Sequence, residues 1–420
     1  MIRHIATIIW NERRVNSWIV LEYILVFSVM WYCCDYLYYT VKCRTTPIGF
    51  DIDHVYRINI GERQHDEELS AEEQYAYATT LLQRLKQYPA IENASISSGG
   101  MPYGFSESRS GYIVNGDTTL YQGTILRHVS SEFFDLFRVD VSGRRFDSSD
   151  PNESGIVVSM HKDGFFGNDT DQKRLPFSEL HTYGYKDHKG EMPWHVVGET
   201  KLRIRTNYYR PYESSAFYPI QRNRFELKWA QIAIRVKPSA DRHFAEKFRQ
   251  DMREQLNIGP YFFQSIIALN DVRAVEEQRY NHDLNSVYAI TAFLIINIFL
   301  GVIGTFWYRT QTRRSEVGLR LAMGATRRQV RTQLLLETFL LLLLSSLLGA
   351  VICLNIAQTD LLDVMGLPQS DKRLFHGGWS QYVINYVITF LFLLSVSFLA
   401  VWYPARQAAK TQPAESLRDE

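Results

Sequence analysis

The 420-residue sequence predicts an α-helical membrane protein with four transmembrane helices, and a large α+β extracytoplasmic domain inserted between the first and second spans. Three observations predict this class. Four apolar runs surround a polar middle of about 240 residues, and a bilayer core asks for about twenty apolar residues per helix. Arginine is concentrated between two of those runs: residues 309–337 hold seven arginines against two glutamates, the mark of a cytoplasmic loop. The polar middle, by contrast, carries the amphipathic helices and short β-branched runs of a water-soluble fold. The net charge of +1 gives no push towards nucleic acid, and the mean hydropathy of -0.20 averages two kinds of sequence. Cys33, Cys34 and Cys353 lie in apolar runs and Cys43 just beyond one. The cysteine-free middle is therefore no disulfide-stapled scaffold and must stand on its own core.

Residues 1–16 read as a cytoplasmic interfacial helix, with Ile2, Ile5 and Ile9 on one face. Glu12, Arg13 and Arg14 precede the first apolar run and no small-residue cleavage site follows, unlike a signal peptide. The first transmembrane helix, 17–41, is the weakest, because Glu22 and Asp35 leave an uncharged core of only twelve residues, Tyr23 to Cys34. An intramembrane carboxyl costs a few kcal/mol at the bilayer centre. Near the ends, interhelical hydrogen bonding or interface placement suits both groups better than a proton relay. Tyr32, Tyr36, Tyr38 and Tyr39 form the expected outer aromatic belt.

The extracytoplasmic domain is expected over 42–284. Ser70 to Tyr88 reads as a helix: Ser70 caps, Glu73 completes a capping box, and Tyr75, Ala78, Leu82 and Leu85 form one stripe. Pro89 ends it and Ala94 to Ser98 begins a strand. Gly155 to Ser159 (GIVVS) and His195 to Val197 read as buried strands, and Ala240 to Leu256 as a second helix with Phe244, Phe248, Met252 and Leu256 on one side. Three features invite chemistry and favour plainer readings. His181, His188 and His195 are spaced by seven, near Asp187 and Glu191. Zinc ligands usually come as closer pairs, so loop histidines are the default. Gly99-Gly100 is a turn rather than a phosphate loop. The aromatic segment from Tyr208 to Tyr218 serves a ligand groove or a core equally well.

The second transmembrane helix is placed at 285–308, with twenty-three uncharged residues from Ser286 to Tyr308. A cytoplasmic loop follows over 309–331, then the third span at 332–357, an outer loop at 358–381, the fourth span at 382–403 and a cytoplasmic tail at 404–420. Gly349 and Ala350 suit close packing, and Glu337 falls just inside the third span. Counting spans puts both termini and the arginine-rich loop inside and the large domain outside. The loop has internal order beyond a topology signal. Ser315 is a good N-cap, Glu316 to Met323 makes two turns, and Gly324 sits where a left-handed residue would stop them. Thr326 caps the next helix with Gln329 three residues on, so a helix, a Gly-Ala corner and a second helix run into the membrane.

No glycine is followed directly by lysine, which excludes a Walker A loop, and neither a G-x-S-x-G elbow nor an H-E-x-x-H helix is present. No catalytic residue, metal site or cofactor site is expected, and any energy source is expected in another subunit. The segment RRSEVGLRLAMGATRRQVRTQLLLE is similar to the signature of FtsX-like and MacB-type ABC transporter permeases, R-x-x-E-[IV]-G-[IL]-R-x-[AL]-x-G-A. It matches at Arg313, Glu316, Val317, Gly318, Leu319, Arg320, Ala322, Gly324 and Ala325. The tail YPARQAAKTQPAESLRDE resembles the closing pattern of that family at Pro404, Ala405, Ala408, Pro413, Leu417 and Arg418. GIVVS and WHVVGE resemble strands of the MacB-type periplasmic core, although the glycine turn bearing a lysine is missing from DTDQKRLPF.

The resemblance implies a bacterial inner-membrane permease that works by mechanotransmission. A separate cytoplasmic ABC ATPase binds the ATP and closes, the capped helix takes up the motion, and the outer domain opens or closes. It also implies a dimer with a second copy or paralogue, and leaves room for a periplasmic adaptor. The residues expected to dock the ATPase are Glu316, Gly318, Leu319, Arg320, Met323, Gly324 and Arg327. Glu316 and Arg320 also suit an ion pair on the helix itself, and Gly324 suits a geometric role better than a contact. Within the same family the alternative is an FtsX-like regulator of an extracytoplasmic cell-wall hydrolase. A ligand-sensing receptor is disfavoured because seventeen residues after Tyr403 hold no output domain. An ectoenzyme is disfavoured because no acid–base pair or nucleophile stands out.

Overall fold

The computed structural model describes residues 7, 9–11, 13–64, 68–104, 108–114, 121–150, 153–159, 180–186, 193–200, 215–312, 319, 321–358 and 378–408. Its elements begin with helix α1 (Arg13–Thr45), strand β1 (Val55–Glu62), helix α2 (Ala71–Lys86), and strands β2 (Ile91–Ser98), β3 (Ser108–Val114) and β4 (Tyr121–Val129). Next come the short helix α3 (Phe133–Leu136) and strands β5 (Val141–Gly143), β6 (Gly155–Ser159), β7 (His181–Lys186), β8 (Pro193–Thr200), β9 (Ser215–Pro219) and β10 (Gln231–Val236). Helix α4 (Phe244–Met252), strand β11 (Tyr261–Ala268) and helices α5 (Leu269–Thr312), α6 (Arg327–Gln358) and α7 (Gly378–Ala408) complete the order. Packing divides the chain into two compact units, Met1–Lys42 with His282–Glu420, and Cys43–Asn281.

In the unit Cys43–Asn281 the strands form one sheet in the order β11-β1-β10-β2-β4-β3-β7-β8-β6-β9. Its first part is antiparallel, with β1 paired to both β10 and β11. Helices α2 and α4 supply side chains to the core on this part, because each presents one apolar face. Ser70 accepts from the Glu73 backbone N–H and the Glu73 carboxylate accepts from the Ser70 N–H at 2.9 Å, so the predicted capping box starts α2. α4 is shorter than the predicted helix. His243 takes a left-handed φ of 61° just before it, but Phe244, Phe248, Met252 and Leu256 are all buried as expected.

The second part of the sheet closes on itself. β9 returns to pair with β4 in parallel, from Ile125 opposite Ser215 to Val129 opposite Pro219. The ring β4-β3-β7-β8-β6-β9 holds Ile156, Val158, Leu180, Trp194, Val196 and Tyr218 at its core. All five residues of GIVVS are buried, consistent with a strand paired on both sides. His128 of β4 packs against Tyr218, and burial, partly opposed by a backbone hydrogen bond with Pro219, pushes its pKa down to about 4. Near the ring, burial alone would raise the pKa of Glu153. The Arg144 guanidinium, bound at 2.7 and 2.9 Å, and the N–H groups of Gly155 and Asp147 outweigh it and hold the carboxyl below its usual value.

The other unit contains four helices long and apolar enough to cross a membrane among the described residues: Asn16–Thr45, Leu284–Thr305, Arg327–Ile356 and Tyr382–Tyr403. The second of these lies within α5, which begins at Leu269, ahead of the apolar stretch read from hydropathy. Tyr23, Phe27, Met30 and Trp31 of α1 pack in one core with Leu341 and Leu342 of α6 and Leu393 and Ala400 of α7. Gly349 admits the ring of Phe27 so closely that an added Cβ would meet it at 2.8 Å, the close approach predicted there. Polar side chains cross the packing: Tyr23 O–H donates to Ser397 Oγ at 3.2 Å, and Ser346 Oγ lies 2.8 Å from Tyr386 Oη. The Glu22 carboxylate rests over Gly301 of α5, where a Cβ would meet Oε1 at 2.6 Å.

Candidate functional site

The arginine-rich segment between α5 and α6 is described at Leu319 and from Leu321 onward. Of the expected docking residues, Glu316, Gly318 and Arg320 lie outside the described residues. Leu319, Met323, Gly324 and Arg327 lie within them. The N–H of Met323 donates to the Leu319 carbonyl at 2.9 Å and that of Gly324 to Leu321 at 3.1 Å, which closes the last turn of a helix. Gly324 then takes a φ of +96°, a backbone conformation that side chains disfavour, and among the described residues nothing lies within 4 Å of where its Cβ would be. The glycine is thus required by backbone geometry and not by crowding.

Two residues later the chain turns into α6. Thr326 N–H donates to Gln329 Oε1 at 2.7 Å, and Gln329 N–H donates to Thr326 Oγ1 at 3.3 Å. This reciprocal pair is a capping box that satisfies donors otherwise orphaned at a helix start. Val330 is the first buried residue of α6, at 4% exposure, and Leu334 and Leu335 follow it onto the bundle core. The capped turn and the apolar span are therefore one helix. On the other side of the corner, Leu319 is 50% and Met323 73% exposed. They stand one helical turn apart, and Arg327 is also exposed. The site offers an apolar pair beside a cation on a rigidly capped corner; it contains no nucleophile or acid–base pair among its described residues.

The remaining sequence candidates separate. His181 and His195 stand opposite each other across β7 and β8, while His188, Asp187 and Glu191 lie outside the described residues. No group of three or more potential metal ligands occurs among the described residues. Gly99 has a φ of +65°, in keeping with a turn, and Tyr218 is a core residue against Trp194; the segment 208–214 lies outside the described residues. Sequence reasoning singled out neither Asn385 nor Thr389, both fully enclosed among the helices. Their spacing of four in a largely apolar span was the available signal.

Residues 288–413 match the family described as FtsX-like permease C-terminal. The chain is 30% identical over 137 residues to the macrolide export ATP-binding/permease protein MacB of Bordetella avium, covering 33% of this chain and 19% of that protein. It is 25% identical over 300 residues to MacB 2 of Aeromonas hydrophila, covering 68% of this chain and 42% of that protein. The matches thus span less than half the length of these curated relatives. Among solved structures, the periplasmic region of MacB from Actinobacillus actinomycetemcomitans is similar with a TM-score of 0.31 and 11% identity, over 56% of this chain and 98% of that one. The extracellular domain of the ABC-type transporter YknZ from Gram-positive bacteria is similar with a TM-score of 0.30 and 14% identity, over 50% of this chain and all of that one. The motif at 313–325 and the part of the tail motif from Pro404 to Pro413 lie inside the matched region, so residues 288–413 carry an FtsX-like permease C-terminal domain.

Proposed function

We propose that the chain is the permease subunit of an exporter or envelope machine that works by mechanotransmission. A cytoplasmic ABC ATPase closes on ATP and pushes on the segment around Leu319 to Arg327, and α6 carries that displacement into the bundle. The outer unit, Cys43–Asn281, changes its arrangement in response. ATP is bound by the ATPase and not by this chain, and the working assembly contains two permease copies or paralogues in a bacterial inner membrane. The observation that carries this reading is the pairing of the left-handed Gly324 with the Thr326–Gln329 capping box at the start of a helix that enters the apolar core without a break. A flexible topology loop needs neither. The exposed Leu319 and Met323 supply the apolar contact that a soluble partner would cover.

The test is reconstitution of the chain with its ATPase, measuring ATP hydrolysis and the permease-dependent output together. Glu316→Arg and Met323→Glu are expected to leave membrane insertion and intrinsic ATP hydrolysis intact while abolishing the coupling between them. Unchanged coupling in both variants would refute the docking assignment. Recovery of the intact chain without an ATPase under ATP-trapping conditions would refute the wider reading.

A further inference from the structure

Most buried polar side chains of the helical unit have partners. Ser28, Thr40, Thr338 and Ser345 return their hydroxyl protons to the carbonyl one turn back, at 2.8 to 2.9 Å. Tyr23 pairs with Ser397 and Ser346 with Tyr386. Asn16 Oδ1 and Thr291 Oγ1 are isolated exceptions, and one place between α1 and α7 gathers several. The indole N–H of Trp31 and the Oδ1 of Asn385 are buried without a hydrogen-bond partner among the described residues, and the buried hydroxyl of Thr389 meets only the weakly polar thiol of Cys34 there. Their residues are only 8%, 4% and 0% exposed.

The three residues adjoin one another across α1 and α7. Asn385 Nδ2 donates to the Trp31 carbonyl at 3.3 Å, which joins the two residues across the helix pair. That bond also fixes the amide: exchanging its oxygen and nitrogen would set two acceptors against each other, so Oδ1 must point elsewhere. The Trp31 ring lies 6.1 Å from that of Tyr382, one turn from Asn385 on the same helix. Thr389 is one turn further on and forgoes the usual bond to the carbonyl one turn back; its oxygen faces the weakly polar thiol of Cys34. The set offers a donor in Trp31, an acceptor in Asn385 and a hydroxyl that serves as either. A hydrocarbon-facing bundle has no bulk water with which to satisfy them.

We infer that α1 and α7 enclose a built hydration site, in which ordered water accepts from Trp31 Nε1–H and donates to Asn385 Oδ1, with Thr389 as the third partner. Water fits because it both donates and accepts, and because buried waters typically make about three bonds to groups otherwise unsatisfied. A cation is disfavoured, since the site presents a donor and no carboxylate. The inference rests on the packing of the helices and is independent of the proposed function.

The test uses the full chain in deuterated detergent, with its eight tryptophans labelled at the indole nitrogen. The Trp31→Phe variant identifies the Trp31 signal by its loss. Magnetisation transfer from water to the Trp31 indole proton is expected in the wild-type protein, and its loss is expected in Asn385→Leu and in the shape-conserving Thr389→Val. Absence of the transfer in folded wild-type protein would overturn the proposal without any variant. Transfer that persists unchanged in both folded variants would overturn it too, because the water would then not be held by these groups.

Discussion

Replacing Gly324 by alanine isolates the backbone contribution to the corner, because among the described residues nothing lies within 4 Å of the added Cβ. The φ of +96° is then the sole source of strain. A left-handed conformation costs an L-residue about 1–2 kcal/mol. Stiffening of the unfolded chain by alanine gives back about 0.4–1 kcal/mol, leaving a net loss of about 1 kcal/mol. That is roughly a fivefold increase in opening of the corner. The corner's reporters are the N–H groups of Met323 and Gly324, bonded to Leu319 and Leu321. Hydrogen exchange followed by mass spectrometry on the detergent-solubilised protein reads them directly. Asparagine, which tolerates this region, is expected to exchange more slowly than alanine, and valine faster, its branched Cβ adding to the cost. Equal exchange in the glycine, asparagine and alanine forms would refute the claim that the corner depends on a left-handed residue.

Thr326→Ala removes the N-cap of α6 and is expected to cost about 1 kcal/mol of local stability, seen as faster exchange at Val330, whose N–H donates to the Thr326 carbonyl. The depressed pKa of His128, about 4, means that the unfolded chain takes up a proton first as pH falls. Stability from this group is complete above about pH 6.5 and declines towards pH 4, by roughly 2 kcal/mol at pH 5. His128→Asn should flatten that part of a pH-dependent melting curve. Glu153 adds stability above its unfolded pKa and loses it as pH falls through its lowered folded value. Glu153→Gln is expected to cost about 1–3 kcal/mol at neutral pH and progressively less on acidification below about pH 4, measured by thermal unfolding. In the bundle, Gly349→Leu should destabilise by about 1–3 kcal/mol through overpacking, whereas Gly301→Ala should stay within about 1 kcal/mol, because the end of the Glu22 side chain can move.

Local signals were legible wherever one short stretch decides the structure. The boxes at Ser70–Glu73 and Thr326–Gln329, the left-handed Gly324 and the buried GIVVS strand each rest on a few adjacent residues. The closure of the sheet was not legible. Pairing β4 with β9 joins residues from Ile125 and Ser215 onward, and nothing local in either strand names the other. The helix Ala240 to Leu256 was overdrawn for a related reason. Apolar periodicity persists to Leu256, which is buried, but the regular helix ends at Met252, and one further turn, with the Leu256 N–H donating to the Met252 carbonyl at 2.9 Å, keeps Leu256 inside. Periodicity reports burial and says less about the backbone that achieves it. The Trp31–Asn385 contact escaped for the opposite reason: each residue is unremarkable in its own span, and only the packing of α1 on α7 makes their orphaned atoms meaningful.

The glycines of the helical unit distinguish fixed from adaptable contacts. At Gly349 the neighbour is the ring of Phe27, itself 0% exposed and held against Tyr386 at 5.6 Å, so α1 and α6 can neither approach further nor slip without repacking both. At Gly301 the neighbour is the carboxylate end of the flexible, half-buried Glu22 side chain, so α1 can shift against α5 by turning Glu22 alone. A displacement delivered through the capped start of α6 would then move α1 with α6 and be taken up where α1 meets α5. Stiffening that second contact, with Glu22→Leu packed on Gly301, should therefore reduce coupling to the proposed ATPase while raising the melting temperature. A variant that is more stable and equally coupled would argue that the motion runs elsewhere in the bundle.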